Sequence, residues 1–493
     1  MRKTVRPAAS AAARGQEIGA GEVLYFALAS VGVLLVVSGV VPTAYRATGL
    51  TSLPLAFLIV GAVLAVFIPG YVRMTRHTPY GGAMYAIVAL GLGRLIGVPV
   101  AWLALAAYLL LGVALYGLFG VEMQGYAQAH WGIDHSWWVW ALAVWLLVTV
   151  LGQFKTRDIG RLLGVLSIAE IAISLVISAT GLQHPAPGPI LHAFSGSGMT
   201  WASLGPAFAI CVLGFIGFET TAVYRREVRN PRRTITSATI ASLAISALVY
   251  TVASWALDAH YGAQTVAVST AQGPGAFFAM GTSSEALIGN SLLLTSLLAA
   301  LLGYHNGWVR YVYTGARHGM LPGVFAKVGR SGVARSASLL QSGFGLATIA
   351  ATAAFGWNPQ TQLFYIGGTT GGLAILALMT TTSAAEVRYF LGHRQAGSTA
   401  ALVLLPALAA VLLAGMTVLA ATHFSLLLGI APDDPTAGRI LIGFSIVALL
   451  GLSWALATRK LAPERYQALK PAAASPALSD TGAHDAVTAG EAA

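Results

Sequence analysis

Charge is what this chain has least of. Asp, Glu, Lys and Arg make up 9% of its 493 residues, while 56% are hydrophobic. Soluble domains carry about 25% charged residues, so this composition, with a mean hydropathy of +0.74, excludes one and calls for a polytopic membrane protein. Cysteine is nearly absent. The single Cys211 lies in an apolar run, which excludes an intramolecular disulfide or a thiol metal cluster and leaves a small packing residue. Acidic residues number 17 against 28 basic ones, a formal net charge of +11. The basic residues sit in short clusters between apolar runs instead of along an amphipathic face, so nucleic acid is excluded as a partner and membrane topology explains them. Motifs for chemistry are also missing. There is no Gly-x-Ser-x-Gly, no His-Glu-x-x-His and no phosphate loop, and the intramembrane acids do not cluster with His at metal spacing. We therefore expect no enzyme, no cofactor and no metal. A repeated polar filter, as a channel would use, is lacking too.

Apolar windows predict twelve spans: 22–45, 52–72, 97–127, 136–153, 160–181, 201–224, 235–258, 286–314, 336–355, 362–385, 399–421 and 438–458. Arg2, Lys3, Arg6 and Arg14 precede an apolar run that extends to Tyr45 without a cleavage site, so we read a first span instead of a signal peptide. Tyr80–Ile96, short and glycine-rich, is expected to form a surface or re-entrant helix. Threading the chain through twelve spans puts 26 Lys and Arg on one side and two, Arg46 and Arg439, on the other. The basic side faces the cytoplasm by the positive-inside rule, which makes both termini cytoplasmic in a multi-pass protein of the cytoplasmic membrane. Arg225, Arg226, Arg229, Arg232 and Arg233 belong to this signal, and Trp137, Trp138 and Trp140 read as an outer aromatic belt.

One stretch does not suit a plain anchor. Trp201–Ile235 carries Gly214 and Gly217 at mid-span, then Glu219, ahead of five arginines. In lipid every backbone N–H and C=O must be satisfied within the segment, so glycines that loosen a helix are tolerated where it borders protein or a wet cavity. This reads as a broken helix at a solute site. Ser38-Gly39 gives the oppositely directed first span a similar weak point, the pattern of two inverted five-helix repeats with two helices left over. The expected organisation is a disordered N-terminus (1–20), a first repeat (21–200), a second repeat (201–395), two further helices (396–460) and a disordered tail (461–493).

The segment GFIGFETTAVYRREVRNPRRTI at 214–235 resembles the amino acid-polyamine-organocation superfamily of secondary transporters, with its Phe-x-Gly-Phe-Glu followed by Glu-x-x-Asn-Pro-x-x-x-Ile. NGWVRYVYTGARHGMLP at 306–322 is similar to that superfamily's eighth-helix end, with His318 where Asp is usual. Pro79–Tyr85 followed by Gly91-Leu92-Gly93-Arg94 is similar to its segment before the third helix. The resemblance covers about residues 22–460. It implies an all-α integral membrane fold of twelve transmembrane helices, a five-plus-five inverted repeat plus two C-terminal helices. The implied function is alternating-access transport of an amino acid or organic amine. The first span departs from the pattern: Gly-Ser-Gly-Ile becomes Val37-Ser38-Gly39-Val40, and a β-branched residue in place of glycine should tighten the break. A lysine usual in the fifth helix is replaced by Glu170.

Glu170 lies about ten residues from either end of its span, ~15 Å from both surfaces, too far to snorkel. An unpaired carboxylate costs roughly 2.5 kcal/mol or more at bilayer centre, so this one should be protonated or face water. It reads as a proton-carrying group or cation contact, the alternative being a neutral acid bonded between helices. Glu219 either pairs with an inner-face arginine or acts as a gate. Unwinding at Gly214, Phe215, Ile216 and Gly217 would free carbonyls for an ammonium, while N–H groups near Ser38 and Gly39 would meet a carboxylate. Tyr108, Tyr304, His305 and Asn306 are directed toward the central cavity by the resemblance, or else bond between helices. The partners are then a small-molecule solute, the proton and the lipid bilayer. Proton symport is the preferred mode, amine exchange the second, and a non-transporting membrane sensor the reading from another class.

Overall fold

A computed structural model describes residues 19–75, 77–78, 84–153, 160–219, 221, 228, 230–317, 319–328, 334–393, 399–463 and 466. The expectations for the two termini, for Pro79–Ala83, for Arg225, Arg226 and Arg229, and for His318 lie outside these residues. Among the described residues the regular elements are all helices. In chain order they include α1 (Ala20–Thr48), α2 (Leu53–Met74), α3 (Arg94–Trp131), α4 (Trp137–Leu151), α5 (Gly160–Gln183) and α6 (Trp201–Phe215). There follow α7 (Pro231–Tyr261), α8 (Ser283–Arg317), α9 (Arg335–Ala354), α10 (Gln360–Gly392), α11 (Thr399–Thr422) and α12 (Pro435–Leu461). Among the described residues ten are long and apolar enough to cross a membrane, while α4 and α6 have 15 residues each, about 22 Å of helix against a ~30 Å hydrocarbon core. The chain is a multi-pass membrane protein. The sixth span, expected over 201–224, ends its α-helix at Phe215.

Local chemistry sets several boundaries. Thr200 caps α6 by accepting the Ser203 N–H at 3.2 Å, and Asp434 caps α12 by accepting the Thr436 N–H at 2.8 Å ahead of Pro435. Gly49 (φ 62°) and Gly132 (φ 68°) end α1 and α3 in the left-handed conformation that side chains with a Cβ resist.

The centre of the bundle is aromatic and aliphatic. Phe57 of α2, Phe215 of α6 and Tyr250 of α7 form a triangle with ring centroids 5.4–6.3 Å apart. Phe67 and Tyr71 of α2 hold Phe218, just beyond α6, in edge contacts of 6.3 and 6.4 Å. The short helix Met84–Gly91 is not a surface element: Met84, Ile87 and Val88 are fully buried and the helix packs on α10, because its apolar residues face protein on nearly every side. At the edge, α12 leans on α3, and its Ile442, Leu449 and Leu450 are more than half exposed. Water would not tolerate such a face, but lipid suits it.

Candidate functional site

The sixth helix breaks where its glycines predict. Beyond Phe215, Ile216 is extended (φ −61°, ψ 129°) and Gly217 takes φ 122°. A Cβ on Gly217 would lie 2.7 Å from the backbone C and O of Ser30 and the N of Val31, so the break seats directly on α1. That contact falls next to a break in α1 itself, at Gly32 (φ 67°, ψ 65°).

This corrects the expected position at Ser38-Gly39. There the helix runs on as a π-helix, Val36–Val40, with the Ser38 hydroxyl donating to the Leu34 carbonyl at 2.8 Å and Gly39 against the Phe364 ring. A π-turn keeps its N–H groups bonded to carbonyls five residues back, so no open set of donors forms for a carboxylate. Both Gly32 and Gly39 could accept a positive φ; the physical reason for Gly32 is what lies opposite, Gly217 on Ser30 and Val31 and Glu170 on the Leu34 N–H.

Two acids occupy the breaks. Glu170 of α5, 3% exposed, places Oε2 at 3.4 Å from the Leu34 N–H, one of the donors left open where helix restarts after Gly32. Ser296 of α8 is close by, its Oγ 3.7 Å from the Cβ position of Gly32. Among the described residues Glu219 is bonded by tyrosines and by the break itself. Its Oε2 accepts the Gly217 N–H at 2.8 Å, its Oε1 accepts the Tyr108 hydroxyl at 3.2 Å, and its carbonyl accepts the Tyr71 hydroxyl at 3.4 Å. Tyr108 therefore serves the sixth-helix break, with Tyr311 and Tyr304 at ring distances of 5.3 and 6.4 Å.

A cavity with about 640 Å³ of empty volume, counting its open part, lies between α1, α3, α6, α8 and α10. Leu35, Val36, Leu111, Leu213 and Phe364 make its walls apolar, and Ser30, Thr43, Tyr304 and Thr369 supply hydroxyl-bearing residues. A second, smaller lobe shares Thr43, Phe364 and Tyr365 and adds Arg46, Ser269 and Gln360.

Of the residues named from sequence, Tyr304 lines this cavity. Its neighbours do not: His305 is fully buried and bonded to Gln341 and Ser338 of α9, and Asn306 is half-buried away from the lining. Each step along a helix turns the side chain by about 100°, so three consecutive residues cannot share one face. The sixth helix contributes Ile210 and Leu213, one turn ahead of the break, while Gly214 packs on Val36, and Phe215 and Ile216 are buried in the core. Sequence reasoning missed Gly32, Arg46, Phe364 and Tyr365. Arg46 could have been found as one of two cations on the sparsely charged side. It also missed Glu386 of α10, fully buried against Gly70, with neither carboxyl oxygen hydrogen-bonded among the described residues.

The family model described as amino acid permease matches residues 22–458. Among relatives, the branched-chain amino acid permease BcaP of Lactococcus lactis subsp. cremoris (strain MG1363) is 24% identical over 287 residues, 54% of this chain and 61% of the relative. The aspartate-proton symporter of Bacillus subtilis (strain 168) is 22% identical over 305 residues, 58% of this chain and 57% of the relative. The cadaverine/lysine antiporter of Escherichia coli (strain K12) is 30% identical over 138 residues, 27% of this chain and 30% of the relative. The matched region thus spans at most about three fifths of the length of these relatives.

Proposed function

Since the chain belongs to the amino acid permease family, we propose that it is a secondary active transporter of an amino acid or related organic amine across the cytoplasmic membrane. It works by alternating access and is coupled to protons. In this reading α4 and α6 also span, giving twelve helices in a five-plus-five inverted repeat with α11 and α12 added, and both termini are cytoplasmic. The charge partition of 26 Lys and Arg against two supports that orientation.

The observation that carries the proposal is the contact between two broken helices, at Gly32 and Gly217, beside a mostly apolar cavity with a few hydroxyl-bearing residues. Broken helices can rock about their interruptions while their ends stay packed. Glu170 couples this motion to the proton: a carboxylate accepts the Leu34 N–H more strongly than a neutral acid does, so protonation loosens the hold of α5 on the first break. The relative named as a proton symporter supports this mode. The second reading is exchange of one amine for another, favoured by the relative named as an antiporter.

Uptake of a labelled amino acid and amine panel into proteoliposomes, under an inward proton gradient, tests both. Wild type is expected to accumulate a panel member saturably, and Glu170→Gln to lose accumulation while keeping counter-exchange. Gradient-driven accumulation that persists in Glu170→Gln sinks the coupling role. Wild-type movement only against internal counter-solute favours exchange, and no movement under either condition leaves the sensor reading.

A further inference from the structure

We propose that Arg46, together with Ser269, forms an anion subsite at the mouth of the cavity that holds the carboxylate of the solute; this rests on the reading of that cavity as the solute site. Arg46 ends the first span, in the helical segment Val41–Thr48, and its guanidinium lies 4.7 Å over the Tyr365 ring. Stacking of this kind fixes the plane of the guanidinium while leaving its N–H edge open. Of all the residues lining the two lobes, Arg46 is the one that carries a charge. Among the described residues no carboxylate pairs with it.

Ser269 stands in the same lobe. It is 2% exposed, and among the described residues its Oγ has no hydrogen-bond partner. A buried hydroxyl left unbonded is costly unless something enters to take its proton. Gln360 adds an amide to the same wall, and none of the lining residues is acidic. The lobe thus brings a guanidinium and a hydroxyl donor next to the apolar walls of the main cavity, with Phe364 common to both. A carboxylate with a hydrocarbon body matches both parts.

The alternative place for a carboxylate is already taken. The Leu34 N–H beyond the first break is bonded by Glu170, and the helix through Ser38 and Gly39 keeps its donors within the π-turns. A guanidinium binds a carboxylate through two parallel N–H bonds and needs no open helix end.

The test compares three probes of one skeleton: leucine, 3-methylbutylamine, which lacks the carboxylate, and 4-methyl-2-oxopentanoate, which lacks the amine. Binding is read by ligand-induced thermal stabilisation of the full chain in detergent, and uptake in proteoliposomes. Arg46→Met is expected to weaken leucine and the oxo acid by about tenfold to a hundredfold, the loss of one charge-assisted bond pair. The amine should bind as to wild type, and Arg46→Lys should recover only part of the affinity, because an ammonium keeps the charge but lacks the paired N–H fork. Arg46→Cys provides a second arm, because Cys211 is fully buried and position 46 is then the accessible thiol. An aminoethyl thiosulfonate, which returns a cation with N–H donors, should recover part of the leucine binding, and the sulfonato-ethyl reagent should not. The subsite is overturned if Arg46→Met leaves leucine affinity unchanged, or weakens leucine and the amine alike. Wild type that takes the amine but neither carboxylate overturns the subsite and leaves the transporter standing; wild type that takes no member of the amino acid and amine panel overturns both.

Discussion

If the two breaks must pack against each other, Gly217→Ala should be among the most damaging single-methyl additions in the chain. Two costs combine there. At φ 122° a Cβ is strained, at about 1–3 kcal/mol. The new methyl would also sit 2.7 Å from Ser30 C and O and Val31 N, where carbon contacts are normally about 3.5–4.0 Å, and overpacking of this kind costs about 1–3 kcal/mol. Together that is about 2–6 kcal/mol. The obstructing atoms are backbone, so no side-chain substitution on α1 can make room. Gly214→Ala offers the contrast: its Cβ would meet Val36 Cγ1 at 2.7 Å, and trimming Val36 to Ala removes the obstacle. Thermal unfolding in detergent and proteoliposome uptake would be measured for both, with Gly415→Ala as control, since nothing lies within 4 Å of its Cβ position. The expected pattern is a loss in Gly214→Ala rescued by Val36→Ala, and a loss in Gly217→Ala that the same change does not rescue. Gly217→Ala with the melting temperature and uptake of the control would refute the packing of the breaks.

Two further outcomes follow from buried polar groups. His305 bonds Gln341 and Ser338, so His305→Leu should destabilise the chain by about 1–3 kcal/mol by leaving those partners unpaired, while the KM for uptake stays at the wild-type value; a raised KM with unchanged stability would return His305 to the solute site. Among the described residues Glu386 has no hydrogen-bond partner for either oxygen, so Glu386→Met should raise the melting temperature, by about 1–3 kcal/mol of added stability; a fall would reveal a bonded or ion-holding carboxyl.

Much of the architecture is legible because hydrocarbon imposes a length on every crossing. Each of the twelve apolar windows contains a helix, and the ends agree within a few residues for most. The two shortfalls have different causes. Trp137–Leu151 is limited by the short apolar run between Ser136 and Gly152, whereas Trp201–Phe215 is cut by the glycine at 217 that also made the break predictable. The first break was misplaced because α1 holds both Gly32 and Gly39, and glycine content alone does not choose between them. The choice is made by what lies opposite: Gly217 presses on Ser30 and Val31, and Glu170 stands ready for the Leu34 N–H. Glu219 accepts the hydroxyl of Tyr108 from α3, 111 residues away, a partner that no local pattern announces.

The sequence by itself determined that this chain lives in a membrane, that it is built of apolar helices, and that its sixth helix is interrupted. These are local properties, since a helix satisfies its own backbone and a glycine relaxes its own φ. Tertiary structure decided which side chains share a face. It put Tyr304 on the cavity and His305 in the core, placed the first break at Gly32, and brought Arg46, Ser269 and Tyr365 from three distant segments to one lobe. Such neighbours are fixed by packing angles and helix phase across the bundle, and a rotation of one residue, about 100°, is enough to turn a lining group into a buried one.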